Sequence, residues 1–176
     1  HGGTVSPYSL GEGQGATFTV QLPLLSAEPV VPSEEAPLMD DLNLAGIRVL
    51  TIDDDADARE LLTILLEEYG AEVLTVTSSL HFLTAIASFQ PHILISDVGM
   101  PTVDGYTLIR QVRALPPEQG GTIPAIALTA YVREIDQQKA LEAGFQQHLA
   151  KPLEPDLLVQ TIVKLIGQQN LSNHSE

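Results

Sequence analysis

Asp53, Asp54, Asp97, Thr129 and Lys151 each stand where a short apolar run stops. Arg48-Val49-Leu50-Thr51-Ile52 runs into Asp53-Asp54-Asp55, and Ile93-Leu94-Ile95-Ser96 runs into Asp97. Ile123-Pro124-Ala125-Ile126-Ala127-Leu128 runs into Thr129, and Gln147-His148-Leu149-Ala150 into Lys151. A carboxylate can ligate a hard cation or attack an electrophile. An ammonium and a hydroxyl can neutralise or donate to an anion. Alone, each residue has an ordinary reading: the aspartates as turn or cap residues, the threonine as a strand-end cap, the lysine as surface charge. Together they make a site if the runs are parallel strands, because ligands in open α/β sheets bind beyond the carboxyl ends of the strands. Asp97 is the centre of this set. Pro101 and Asp104-Gly105 after it mark a loop, so Asp97 closes a buried strand.

The elements between the runs support a parallel sheet. Helices are expected at 58–69, 79–89, from 105 through Val112, at 133–143, and from Pro155 through Leu165. The first has Leu61, Leu62, Ile64, Leu65 and Tyr69 as its apolar face, and Gly70 ends it. Ser78 or Ser79 caps the second. The third carries Tyr106, Leu108, Ile109 and Val112, Gly144 ends the fourth, and Pro155 opens the fifth. Strands are expected at 48–52, 72–75, 92–96, 125–128 and 147–150. Strands alternating with helices predict an α/β fold with helices on both faces of a parallel sheet.

Composition narrows the function classes. The chain has 176 residues and a net charge of −15, from 23 acidic against 8 basic residues. Such a balance opposes non-specific nucleic-acid binding, which needs a basic footprint. No run is long and apolar enough to span a membrane, so no membrane contact is expected from this stretch. There is no cysteine, which removes disulfides and thiolate metal sites. Residues 16–22 alternate as a strand after a turn with Gly11, Gly13 and Gly15, and a hairpin is expected there. Residues 26–45, with Pro29, Pro32, Pro37 and several acids, read as an extended linker. Residues 169–176 read as a disordered polar tail.

Taken in order, Asp53-Asp54, Asp97 with Met100-Pro101 and Asp104-Gly105, Thr129-Ala130 and Lys151-Pro152 resemble the receiver domain of two-component response regulators. The resemblance covers residues 46–168. It implies a flavodoxin-like doubly wound sheet of five parallel strands in the order 2-1-3-4-5. It also implies that Asp97 accepts a phosphoryl group from a phosphohistidine, and that Asp53, Asp54, Asp97 and the backbone carbonyl of Gly99 hold Mg²⁺. Lys151 and Thr129 would contact the phosphoryl oxygens. Receivers usually carry an aromatic residue where this chain has His148, so Thr129 and His148 are the expected switch pair, and the histidine implies a switch that either works differently or is pH-sensitive. Tyr131, two residues after Thr129, is expected to shield the acyl phosphate.

His1-Gly2-Gly3-Thr4, Gly13-x-Gly15-Ala16-Thr17-Phe18 and Leu22-Pro23-Leu24 resemble the last segment of a histidine-kinase ATP-binding domain. That implies a hybrid histidine kinase as the parent chain, with 1–25 the end of its ATPase domain. The asparagine-bearing helix and glycine-rich lid of that family are not in this sequence, so no independent kinase activity is expected. The implied partners are the parent kinase core, a histidine phosphotransfer protein or both. A homodimer is compatible, and the location is expected to be cytoplasmic, whether or not upstream segments anchor the parent to a membrane. Two other readings of the acids fail. A calcium loop needs glycine where Ala58 stands and glutamate where Ile64 stands. A dehalogenase-like phosphatase fits Asp53-x-Asp55 but is broken by Asp57. A receiver-like interaction module that works without phosphorylation is the alternative of a different class.

Overall fold

Short β-branched runs flanked by breakers become strands, and amphipathic stretches between them become helices. The computed structural model describes residues 4–9, 11, 13–21, 42–101, 103–130 and 134–172. The chain divides into two compact units, His1–Leu38 and Met39–Glu176.

In the first unit, β1 (Thr4–Tyr8) and β2 (Thr17–Gln21) form an antiparallel pair. Gly11, Gly13 and Gly15 all adopt positive φ between them, which L side chains rarely do. Register pairs Val5 with Val20 and Pro7 with Phe18, so one face of this ribbon is apolar and exposed.

In the second unit the order is β3 (Arg48–Ile52), α1 (Ala56–Glu68), β4 (Glu72–Val76), α2 (Ser79–Phe89), β5 (Ile93–Asp97) and α3 (Gly105–Arg113). A 3₁₀ turn (Pro117–Gln119), β6 (Ala125–Thr129), α4 (Glu134–Ala143), β7 (Gln147–Ala150) and α5 (Pro155–Ser172) complete it. The sheet runs β4-β3-β5-β6-β7 with every pair parallel. Counted within the sheet this is 2-1-3-4-5, the doubly wound order expected.

Alternation along the strands divides the core in two. Val49, Ile93, Ile95, Ile126, Leu128 and Leu149 face α1 and α5. Leu50, Ile52, Leu94, Ala125 and Ala127 face α2, α3 and α4. β5 and β6 are buried along their whole length, as central strands covered on both faces must be. The carboxyl ends of β3, β5, β6 and β7 therefore form one edge held by two cores.

Three expectations need correction. Leu61 and Ile64 are 64% and 56% exposed, whereas Leu62, Leu65 and Leu66 are buried. The stripe spaced 62, 65, 66, 69 turns to the sheet, and residues one position aside point away from it. Residues 22–41, most of the expected linker, lie outside the described residues, but at its end Leu44 is fully buried and Leu42 packs on the same core. The Leu44 N–H donates to the Tyr69 carbonyl at 2.7 Å. Helix α5 continues to Ser172, into the stretch 169–176 expected as a disordered tail, of which 173–176 lie outside the described residues. The glutamines there are good helix formers, and no breaker interrupts them.

At the opposite edge, His92 gives a pH-dependent term. Its backbone N–H donates to the Arg48 carbonyl at 2.8 Å, and its Nδ1 accepts from the Arg48 N–H at 3.0 Å. Burial, then the Arg48 charge, holds the His92 imidazole below its usual 6.5. The unfolded chain therefore takes up this proton first as pH falls. The contribution is complete above pH 6.5 and is lost as pH falls from there through the lower folded value. Urea midpoints between pH 7.5 and 5.5 should fall less steeply for His92→Asn, which keeps an acceptor without the titration. Equal slopes would contradict this.

Candidate functional site

The β3 strand delivers Asp53 to the edge, and the chain turns at once into α1. Asp55 caps that helix, its carboxylate accepting from the N–H groups of Asp57 and Ala58. The Asp55 N–H in turn donates to Asp53 Oδ1 at 2.9 Å. Asp97 is the last residue of β5, its backbone paired with Leu128 of β6. Lys151 follows β7, and its N–H donates to the Thr129 carbonyl at 2.8 Å, which closes the β6–β7 ladder.

These placements bring the expected groups together. Lys151 Nζ lies 2.7 Å from Asp53 Oδ2 and 3.2 Å from Asp97 Oδ1. Asp53 is 2% exposed and Asp97 8% exposed, whereas Asp54 is open to solvent. Asp53, Asp54 and Asp97 each offer a carboxylate oxygen, all within 4.8 Å of one another. Three hard anionic oxygens at that spacing fit a small divalent cation. Burial alone would lower the Lys151 pKa, but the Asp53 hydrogen bond and the charges of Asp97 and Asp53 outweigh it, so the ammonium is held above its usual range. Lys151 is thus a fixed cation beside two buried carboxylates.

Gly99 follows two residues after Asp97. A Cβ there would stand 3.5 Å from Asp97 Oδ2, ordinary contact, so the glycine leaves this oxygen uncovered by any larger group. Gly105 is held far more tightly. A Cβ would meet the Asp97 carbonyl at 2.5 Å and the Val98 Cα at 2.9 Å. Gly105 opens α3 behind the Asp104 cap, whose side chain accepts from the Thr107 N–H at 2.7 Å. The close approach seats α3 on the backbone of Asp97. Gly105→Ala should destabilise by about 1–3 kcal/mol through overpacking. Urea unfolding measures this, and an unchanged midpoint would show that the contact is slack.

Thr129 is buried at the end of β6, one residue beyond the partner of Asp97. His148 is half-buried on β7 opposite Ala127, and Thr129 lies opposite Ala150. By the alternation of the pleat, Thr129 and His148 share the sheet face that packs on α2, α3 and α4. Tyr131 lies outside the described residues. One contributor went unnoticed in the sequence. Arg59, on α1, donates through Nη1 to the carbonyls of Asp53 at 3.1 Å and Asp54 at 2.9 Å. A cation four residues after the acidic run, on the first turns of a helix, was the available signal.

Residues 49–163 match the family described as response regulator receiver domain. A 14.6 kDa protein of Leptolyngbya boryana is 45% identical over 119 residues, covering 68% of this chain and 89% of that protein. The sensor histidine kinase RcsC of Escherichia coli is 27% identical over 157 residues, covering 89% of this chain and 16% of the kinase. Among solved structures, the receiver domain of the sensor histidine kinase PA1611 of Pseudomonas aeruginosa superposes with a TM-score of 0.63 at 28% identity. That match covers 70% of this chain and 99% of the other, and that structure holds magnesium in its active-site cleft. The chain belongs to the response-regulator receiver family, and it is homologous to the receivers of hybrid sensor kinases. It spans only a small part of such a kinase's length.

Proposed function

We propose that Asp97 accepts a phosphoryl group from a phosphohistidine, in a site that binds Mg²⁺ through Asp53, Asp54, Asp97 and the Gly99 carbonyl. The observation that carries this reading is the trio of carboxylates within 4.8 Å of one another, with Lys151 against two of them. A carboxylate oxygen of Asp97 forms the P–O bond as the P–N bond to the donor imidazole breaks. The imidazole nitrogen keeps the bonding pair and takes up a proton. Negative charge spreads over the phosphoryl oxygens in the transition state, so catalysis is chiefly positioning and neutralisation. The cation, when bound, supplies part of that neutralisation. Lys151, 3.2 Å from Asp97 Oδ1, is near enough to meet one phosphoryl oxygen. The Thr129 hydroxyl, at the next strand end, meets another. Thr129 and His148 transmit the change along their shared sheet face.

The partner is a histidine-bearing helix of the parent kinase core or of a phosphotransfer protein. The exposed Leu61 of α1 lines a groove with Ala58, Leu62, Leu65, Lys151, Pro152 and Leu153, and Ile64 of α1 and Leu157 of α5 are also exposed. Apolar surface next to a phosphoryl site suits docking of an amphipathic helix. The alignment to RcsC is longer than the second unit, so it reaches into the first. This supports residues 1–25 as the end of a histidine-kinase ATPase domain, joined by a linker to the receiver of a hybrid kinase. No helix among the described residues is long and apolar enough to cross a membrane. A module that works without phosphorylation has no use for three clustered carboxylates with a lysine against two of them.

Incubation with acetyl phosphate tests the chemistry without a partner. The protein should gain one phosphoryl group with Mg²⁺ and none with EDTA. Equal labelling under both conditions would contradict the metal-assisted mechanism.

A further inference from the structure

The carboxylates of the site are not held alike. Asp53 is fixed at both oxygens, by the Asp55 N–H and by Lys151. Asp97 is fixed by Lys151 and by its place in a buried strand. The exposed Asp54 carboxylate has no hydrogen-bond or ion-pair partner among the described residues. Only its backbone aims it, and the peptide at that point belongs to neither β3 nor α1.

Arg59 supplies what the secondary structure does not. Its Nη1 donates to both carbonyls of the acidic turn, at 3.1 Å and 2.9 Å. The residue that reaches back is itself anchored. The Thr63 hydroxyl donates to the Arg59 carbonyl at 2.9 Å and meets the Thr75 hydroxyl at 3.0 Å. Thr75 accepts from Thr51 at 2.9 Å, and Thr51 is fully buried in β3. A chain of hydroxyls thus ties the start of α1 to the sheet, and the guanidinium ties the acidic turn to α1.

We infer that Arg59 is a positioning residue for the cation site: it fixes the peptides of Asp53 and Asp54 so that the free Asp54 carboxylate is presented to the metal. The inference rests on the Mg²⁺ reading of the carboxylate trio. Groups behind the direct ligands commonly set metal affinity by 10–100-fold. The positive charge of Arg59 acts in the opposite sense, because it repels a dication. Two variants separate these roles. Arg59→Ala removes both charge and clamp, and Arg59→Lys keeps the charge on a side chain one bond shorter, without the guanidinium nitrogen that holds both carbonyls. Both substitutions introduce good helix formers, so α1 is retained.

Calorimetric titration of Mg²⁺ into wild type, Arg59→Ala and Arg59→Lys gives the test. Positioning predicts a dissociation constant about 10-fold weaker in both variants. In EDTA, amide exchange at residues 54–58 should be faster in Arg59→Ala than in wild type. If wild type binds Mg²⁺ and Arg59→Ala binds it equally or more tightly, the positioning role is overturned while the metal site stands. If wild type binds no Mg²⁺, the metal site itself is overturned, and the inference with it.

Discussion

Asp97→Asn is expected to melt at a higher temperature than wild type in EDTA and to gain little from Mg²⁺. At an effective dielectric near 20, Asp97 is attracted to Lys151 at 3.2 Å by about 5 kcal/mol. Its repulsion from two carboxylates no farther than 4.8 Å comes to about 7 kcal/mol. Solvent around Asp54 weakens part of that repulsion, whereas burial of Asp97 adds a desolvation cost that asparagine escapes. The balance favours asparagine by about 1 kcal/mol, a shift of a few degrees. Wild type at a hundredfold excess of Mg²⁺ over its dissociation constant should gain about 2.7 kcal/mol. The variant has lost one ligand and should forfeit most of that gain. Melting curves of both proteins in EDTA and in Mg²⁺ measure all these terms. A wild type that melts identically in the two conditions would remove the cation from the account.

Lys151→Ala should do the reverse. Asp53 and Asp97 are both buried, and Lys151 is the cation that meets them. Removing one partner of a buried ion pair costs about 3–5 kcal/mol, because a desolvated charge is left behind. Lys151 is 28% exposed, and Asp53 keeps the Asp55 N–H, so the expected loss is about 2–3 kcal/mol. Mg²⁺ should restore more stability to this variant than it adds to wild type, since it takes over the neutralising role. Urea unfolding with EDTA and with Mg²⁺ checks both statements. A loss under 0.5 kcal/mol, in the range of an ordinary surface substitution, would mean that the lysine is a surface group.

Much of this site is legible in the chain because its signals are local. Apolar runs that stop at Asp53, Asp97, Thr129 and Lys151 declare strand ends, and Pro101 and Gly105 declare the loop after Asp97. A parallel sheet then gathers those ends without further information. What escapes is whatever depends on side-chain packing across distance. The lysine's shorter contact is to Asp53, a residue 98 positions away, rather than to Asp97. Arg59 is not legible in this way, because a cation on the first turns of a helix usually marks a solvated face. Leu61 and Ile64 read as core residues although they are exposed, because apolar content in a helix does not say which stripe meets the sheet. Leu42 and Leu44 read as linker because proline and acid upstream outweigh two leucines, yet Leu44 is part of the core.

The phosphoacceptor itself is open to chemical identification. After reaction with acetyl phosphate and Mg²⁺, borohydride reduces an aspartyl phosphate to homoserine, and peptide mass spectrometry locates the residue changed. Homoserine is expected at position 97 in wild type and nowhere in Asp97→Asn. Homoserine at Asp53 or Asp54, or undiminished labelling of Asp97→Asn, would contradict it.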